Sequence, residues 1–303
     1  MNKFSSTLIF LIITQIVCAQ YQIGIIPRVS PDKAVYQKIG YTEIEIKYGS
    51  PAVKNRQILG NLVAYDKVWR AGANSATTIE FHSSVTIDGK ALVKGKYSFF
   101  LIPKENDKWT VIFNKVSKQW GAFEYNKKED ALRLEVSPRI TKSKTESLTY
   151  TINQTGFKHG SIVCSWDFIE IEVAFETNYL TEFEEKIESR AILQPEYIKW
   201  IPYLQGAEHL EQINSNIVLA KKWINNAEKI MNSTHEWNDQ FYPRQYIVGH
   251  LYWVKAKILA TNNNYKEAVE YVNKLKRLQQ KDFYNKKNEI ERIDVFYETW
   301  KSK

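Results

Sequence analysis

Hydrophobic residues in this chain repeat with period 2 up to about Phe175 and with a helical period after Glu176. Successive side chains of a strand point to opposite faces, whereas residues three and four apart share a helix face, so one element type cannot satisfy both patterns. The expected architecture is therefore β then α: a β domain over residues 20–176 and an all-α domain over 177–303. In the first segment Thr42–Tyr48 alternates cleanly, with Ile44, Ile46 and Tyr48 on one side and charges on the other. Further strands are expected over Thr77–Phe81, Val85–Ile87, Tyr97–Ile102, Trp109–Phe113, Ala131–Val136, Leu148–Ile152, Ile162–Trp166 and Ile169–Phe175. Asp88-Gly89 reads as a tight hairpin turn, because glycine supplies the positive φ such turns require. Short strands with turn signals and no helical stretch between them predict an antiparallel β-sandwich or barrel.

In the second segment Thr181-Glu182-Phe183-Glu184 reads as a capping box opening a helix that shows Phe183, Ile187 and Ala191 on one face. Ile213, Ile217, Ala220, Ile224, Ala227 and Met231 continue at helical spacing, followed by a helix over Gln245–Ala260, a break at Asn262-Asn263-Asn264, a helix over Tyr265–Leu278 and a last one carrying Ile290, Ile293, Tyr297 and Trp300. Ala256, Leu259, Tyr265, Ala268 and Val272 fall where a tetratricopeptide unit places its packing residues. The spacing back to Ala220 exceeds the roughly 34-residue repeat by about 14, and Lys255 stands where the pattern wants Leu, so the expectation is a tetratricopeptide-like array with an insertion over His235–Arg244.

The N-terminus has the form of a secretory signal: Lys3, an apolar run over Phe4–Ile13, then Val17-Cys18-Ala19, which predicts cleavage between Ala19 and Gln20. Sixteen interrupted residues fall short of the ~20 a spanning helix needs, and no later run is longer, so the mature chain is expected to be exported, periplasmic or secreted, without a membrane span. Once the signal leaves, Cys164 stands alone, which precludes an intramolecular disulfide; it alternates with Ile162 and Trp166 and reads as a small core residue.

The net charge of +8 suggests an anionic partner at first sight. Its distribution does not suggest nucleic acid: residues 20–176 carry 22 basic and 17 acidic side chains, and 177–303 carry 19 and 17. What stands out is local. The long connection Gly49–Ser75 holds Lys54, Arg56, Lys67 and Arg70 against one acid, Asp66.

Several blocks of the first segment carry a resemblance: Ser50-Pro51-Ala52-Val53-Lys54-Asn55-Arg56, Gly60-Asn61-Leu62-Val63, Lys67-Val68-Trp69-Arg70-Ala71-Gly72-Ala73-Asn74, Ala76-Thr77-Thr78-Ile79, Gly95-Lys96-Tyr97-Ser98, Trp109–Asn114 and Gln119-Trp120-Gly121-Ala122. In these the chain resembles the bacterial exported family catalogued as domain of unknown function 2911, over about residues 28–175. The resemblance implies export and a β-rich first domain. It implies no activity and no catalytic residues.

The candidate ligand-binding residues follow from the physics of that loop. Arg70, with Lys54 and Arg56, suits a carboxylate, phosphate or sulfate, and Trp69 offers a ring to stack beside it. Gly72 and Asn74 tolerate positive φ and are candidates for turning backbone N–H groups toward an anion. The competing reading pairs Arg70 with Glu80 or with carbonyls of its own loop and buries Trp69 in the core. Trp120, between Gln119 and Gly121 in a loop, is the candidate platform for a glycan, whereas alternation assigns Trp109 to the core.

His82, His159, His209, His235 and His250 show no metal-ligand spacing, and the serine-hydrolase elbow and the glycine-rich nucleotide motifs do not occur. No cofactor is expected. The reading is an exported non-catalytic binding protein, with a small anionic or glycan ligand on the β domain and a protein partner on the helical tail. The alternatives are an exported hydrolase with a dispersed site at the basic loop, or a structural scaffold.

Overall fold

A computed structural model describes residues 27–234, 244–279 and 287–303. The signal segment with its Ala19–Gln20 cleavage site lies outside those residues, as does nearly all of the His235–Arg244 insertion. The chain divides into two compact units between Tyr179 and Leu180.

The first unit is a sandwich of two antiparallel sheets. Strands β1 (Asp32–Ile39), β2 (Thr42–Gly49), β3 (Ala73–Phe81), β6 (Gly95–Ile102), β7 (Trp109–Asn114) and β8 (Asp130–Val136) form one sheet in the order β1-β2-β3-β6-β7-β8. The other is ordered β5-β4-β10-β9, from β4 (Val85–Ile87), β5 (Lys90–Leu92), β9 (Arg139–Gln154) and β10 (His159–Thr177). Inward-facing residues of both sheets share one core, in which Ile44, Ile79, Phe99 and Phe113 of the larger sheet meet Tyr150, Cys164, Val173 and Phe175 of the smaller. Rings meet there edge to face: Phe81 with Phe175, and Phe99 with Tyr150.

The alternation of Thr42–Tyr48 is seen as expected, and the β4–β5 hairpin turns on Asp88 (φ 51°) and Gly89 (φ 71°), the left-handed pair its two-residue loop requires. One strand is unpredicted and one expectation is corrected. β1 pairs with β2 along its whole length, yet only Ile39 of it is buried, so its polar sequence carries no period-2 signal. Ile162–Trp166 and Ile169–Phe175 are one strand rather than two: a bulge at Asp167 (φ 54°) shifts the register with β9 and bends the strand without ending it.

The second unit contains helices α1 (Tyr179–Ile192), α2 (Trp200–Gln212), α3 (Ile217–Ser233), α4 (Arg244–Thr261), α5 (Tyr265–Gln279) and α6 (Lys287–Lys301). α1 starts at Tyr179, so Thr181 sits inside its first turn and is not its cap. Phe183 and Ala191 are buried as the spacing predicted. Ile213 ends α2 rather than joining α3, because Asn214 and Asn216 take left-handed conformations and Asn216 Oδ1 caps α3 by accepting from Leu219 N at 3.2 Å. α2 pairs with α3, and α4 with α5, as helical hairpins. Ala256, Leu259, Ala268 and Val272 close the second hairpin as one buried cluster, with Tyr265 packed against it.

Lys255, where an aliphatic residue was wanted, is buried, and its ammonium pairs with Glu228 of α3. Tyr271 Oη donates to the same carboxylate at 3.1 Å, and the ammonium lies 4.6 Å from the Tyr271 ring centre. A buried pair of this kind ties two hairpins together but adds little stability over well-packed apolar residues. Glu228→Leu alone is therefore expected to destabilise the helical unit by about 3–5 kcal/mol by stranding the Lys255 charge, while Glu228→Leu with Lys255→Leu returns to within about 1 kcal/mol of wild type. Urea unfolding followed by the helical circular dichroism signal checks both values.

Candidate functional site

The connection from β2 to β3 is ordered by the sheets it crosses. Val53 N donates to Glu146 O, Leu148 N to Pro51 O, Asp66 N to Pro103 O, and Trp69 exchanges two backbone hydrogen bonds with Leu101 of β6, at 2.8 and 2.9 Å. Its end is fixed on one buried carbonyl. Ala71, fully buried at φ 49°, accepts from Tyr150 Oη of β9 at 2.7 Å and from Thr77 Oγ1 of β3 at 3.0 Å. One oxygen thus ties the loop to both sheets. Gly72 follows because space is lacking: a Cβ there would lie 2.7 Å from Thr77 Oγ1. The expected positive φ falls on Ala71 and Asn74 (φ 64°) and not on Gly72.

This anchoring presents Trp69 and Arg70 on a pocket of about 260 Å³ whose wall also carries Lys54, Arg56, Ser30, Val63 and Trp166. Lys54, Arg56, Trp69 and Arg70, from the two ends of one long loop, do meet on one concavity. Asn74 and Trp120 do not line it. Asn74 Nδ2 donates to Ser30 O at 2.9 Å, and Asn74 O accepts from Gly121 N, so it positions the neighbouring segments. Trp120 is 56% exposed, lies under the Arg28 guanidinium at 5.8 Å, and belongs to a separate, open groove of about 820 Å³ with Lys33, Lys47 and Lys96. Lys67 is exposed and lies off the pocket.

The three cations of the pocket differ in their partners. Arg56 braces its own loop, donating from Nε to Val53 O at 3.0 Å and from Nη2 to Ala52 O at 2.6 Å. Lys54 is exposed and meets Glu146 Oε1 at 2.8 Å through its backbone N–H and not its ammonium; that bond, with Lys144 and Arg56 nearby, holds the Glu146 carboxyl below its ordinary range. Arg70 is different. Its guanidinium makes no hydrogen bond or ion pair to any described residue, and its Nε is buried without an acceptor. Glu80, a candidate partner, pairs with Lys96 instead. Burial lowers the Arg70 pKa, but from an ordinary value above about 12 the group stays charged. It packs against Gly121, where φ is +68° and a Cβ would stand 2.7 Å from Nη1.

Trp69 is half-buried, with Nε1 donating to Gly72 O at 3.3 Å, and its ring stacks on Trp166 at 5.7 Å and 19°. Trp69 packs against the core and also lines the pocket. Trp109 is core, as alternation placed it. The residues that sequence reasoning missed are Trp166, Gly121, Tyr150 and Ala71. Gly121 beside Trp120 was the one visible signal; the Tyr150–Ala71 bond spans 79 residues and leaves none.

No cluster of three His, Cys, Asp or Glu side chains able to hold a metal occurs among the described residues. No helix among them is long and apolar enough to cross a membrane. Cys164 is buried and its thiol is pushed up to about 12 by burial.

Residues 30–175 match the profile of the family described as "Protein of unknown function (DUF2911)". The match covers nearly the whole of the β domain. No curated protein and no solved structure matches the chain.

Two outcomes test the geometry. Tyr150→Phe and Thr77→Val each remove one donor to Ala71 O and are expected to cost about 1 kcal/mol, whereas the double variant orphans the carbonyl and costs more than the sum; denaturant unfolding of the three variants measures this. Cys164 is expected to resist a thiol reagent at pH 8 in the native protein and react once the chain is unfolded. A raised thiol pKa contributes stability that is present below the ordinary value of 9.0 and is lost as pH climbs toward about 12, so Cys164→Ala flattens the alkaline fall in stability.

Proposed function

We propose that the protein is an exported binding protein whose β domain holds a small anion against Arg70. The observation that carries this reading is the half-buried Arg70 guanidinium, which has no acceptor among the described residues and lies on a concave wall with two further cations. A buried donor left unpaired costs about 1–3 kcal/mol, and such a group in a native fold calls for an acceptor from outside the chain. The planar fork of arginine suits a carboxylate, phosphate or sulfate, and Trp69 and Trp166 supply apolar walls.

Binding is favoured over hydrolysis because the pocket lining contains no Asp, Glu or His to serve as general acid or base. A glycan reading is supported at a different place: Trp120, exposed under Arg28 in the larger groove, offers a sugar a flat apolar face. For the tail, paired helical hairpins joined through Lys255 and Glu228 support a tetratricopeptide-like array that docks a protein partner. Export rests on the form of the N-terminal segment.

Arg70→Met separates these roles from a structural one by sign. Without ligand the variant is expected to be as stable as wild type or about 1 kcal/mol more stable, since it removes an unpaired buried donor. With acetate, phosphate and sulfate in a thermal-shift series, wild type gains about 2.7 kcal/mol at a hundredfold excess over Kd, and Arg70→Met gains nothing. Lys67→Ala, off the pocket, behaves as wild type. A strongly destabilised Arg70→Met with no anion response in wild type contradicts the reading.

A further inference from the structure

A second cavity of about 190 Å³ shares the Trp69 and Trp166 rings with the Arg70 pocket. Its remaining walls are nearly all apolar: Ile58 and Leu59 from the loop, Leu101 and Trp109 from the larger sheet, and Ile169 and Ile171 from β10. The sequence builds it in two moves. The bulge at Asp167 breaks the register of β10 with β9 just where Trp166 turns inward, and the turn over residues 57–63, closed by Val63 N donating to Ile58 O at 2.8 Å, stands across the gap. Gln57 and Asp167 mark its polar rim.

Two facts link this cavity to the anion pocket. Both are walled by the same stacked indoles. Of the five buried polar side-chain atoms that lack a partner among the described residues, two belong to those shared or adjoining walls: Arg70 Nε and Trp166 Nε1. A site with an uncompensated cation at one side and a tryptophan-lined apolar recess at the other is matched to an amphiphile. A dry apolar cavity of about 150 Å³ already accepts one benzene ring, which sets the scale of the body that fits.

We infer that the ligand is a small organic acid carrying an apolar body of about one aromatic ring, with its carboxylate at Arg70 and its body in the recess behind Trp69 and Trp166. This rests on the anion reading above and narrows it. Burial of the ring adds affinity that an inorganic anion lacks, because apolar surface is removed from water.

The test is calorimetric titration of the full mature chain with acetate, benzoate, phenylacetate, 3-phenylpropionate and 4-phenylbutyrate, and with 3-phenylpropan-1-ol as the neutral counterpart. At least one aryl acid is expected to bind tenfold or more tightly than acetate, and its neutral alcohol at least tenfold more weakly than the acid. Ile169→Trp, which fills the recess from its half-buried edge, is expected to bring the ratio of aryl acid to acetate affinity near one; Gln57→Trp, on the exposed rim, is the second filling variant if the first does not fold. If all the acids bind alike and Arg70→Met abolishes them all, the inference fails and the anion site stands. If the alcohol and acetate bind together without competition and joining them gains nothing, the two cavities serve separate ligands and the inference fails. If no carboxylic acid binds, the inference fails, and the anion reading falls with it only if phosphate and sulfate also leave the wild type unshifted in the thermal series.

Discussion

The site in the β domain hangs from the carbonyl oxygen of Ala71. A loop of more than twenty residues is expensive to order, and its ordering must be paid in contacts that the loop itself cannot supply. Here the critical contact is made by hydroxyls from both sheets, Tyr150 of β9 and Thr77 of β3, converging on one fully buried oxygen. That bond pair fixes the residue next to Arg70 and, through Gly72, brings the backbone close enough to β3 that only glycine fits. Trp69 is then held by its backbone pairing with Leu101.

With its backbone fixed in this way, the loop distributes its cations unequally. Arg56 is spent on the carbonyls of Ala52 and Val53, and Lys54 is exposed, meeting Glu146 only through its backbone N–H. Arg70 is left as the half-buried pocket cation without a chain partner among the described residues, against a glycine that leaves room for its guanidinium. The +8 of the whole chain says little about this. A single uncompensated, half-buried charge beside stacked indoles is a stronger determinant of what binds than a net excess spread over an exposed surface.

Much of the architecture was legible because burial writes a period into the sequence. β2 alternates because one face meets the core, and the Asp88-Gly89 turn is readable because its φ values exclude most residues. β1 was illegible for the same reason: an edge strand with only Ile39 buried has no pattern to show. The single long β10 was read as two strands because a bulge at Asp167 looks, in sequence, like an end. For the site, residue types sufficed to select Lys54, Arg56, Trp69 and Arg70, which do share a pocket. They could not tell the bracing arginine from the free one, which depends on the folded path of the loop, nor reveal Trp166 behind Trp69, a contact across 97 residues of chain.

The most direct measurement is the ¹⁵N–¹H resonance of the Arg70 guanidinium Nε–Hε group, assigned by its loss in Arg70→Met, followed as 3-phenylpropionate is added. The account predicts a saturable shift of this resonance together with the Trp69 and Trp166 indole signals, because one ligand meets all three groups. A ligand that binds while the Arg70 signal stays unmoved, or an Arg70 signal indifferent to every anion tried, would contradict the central claim.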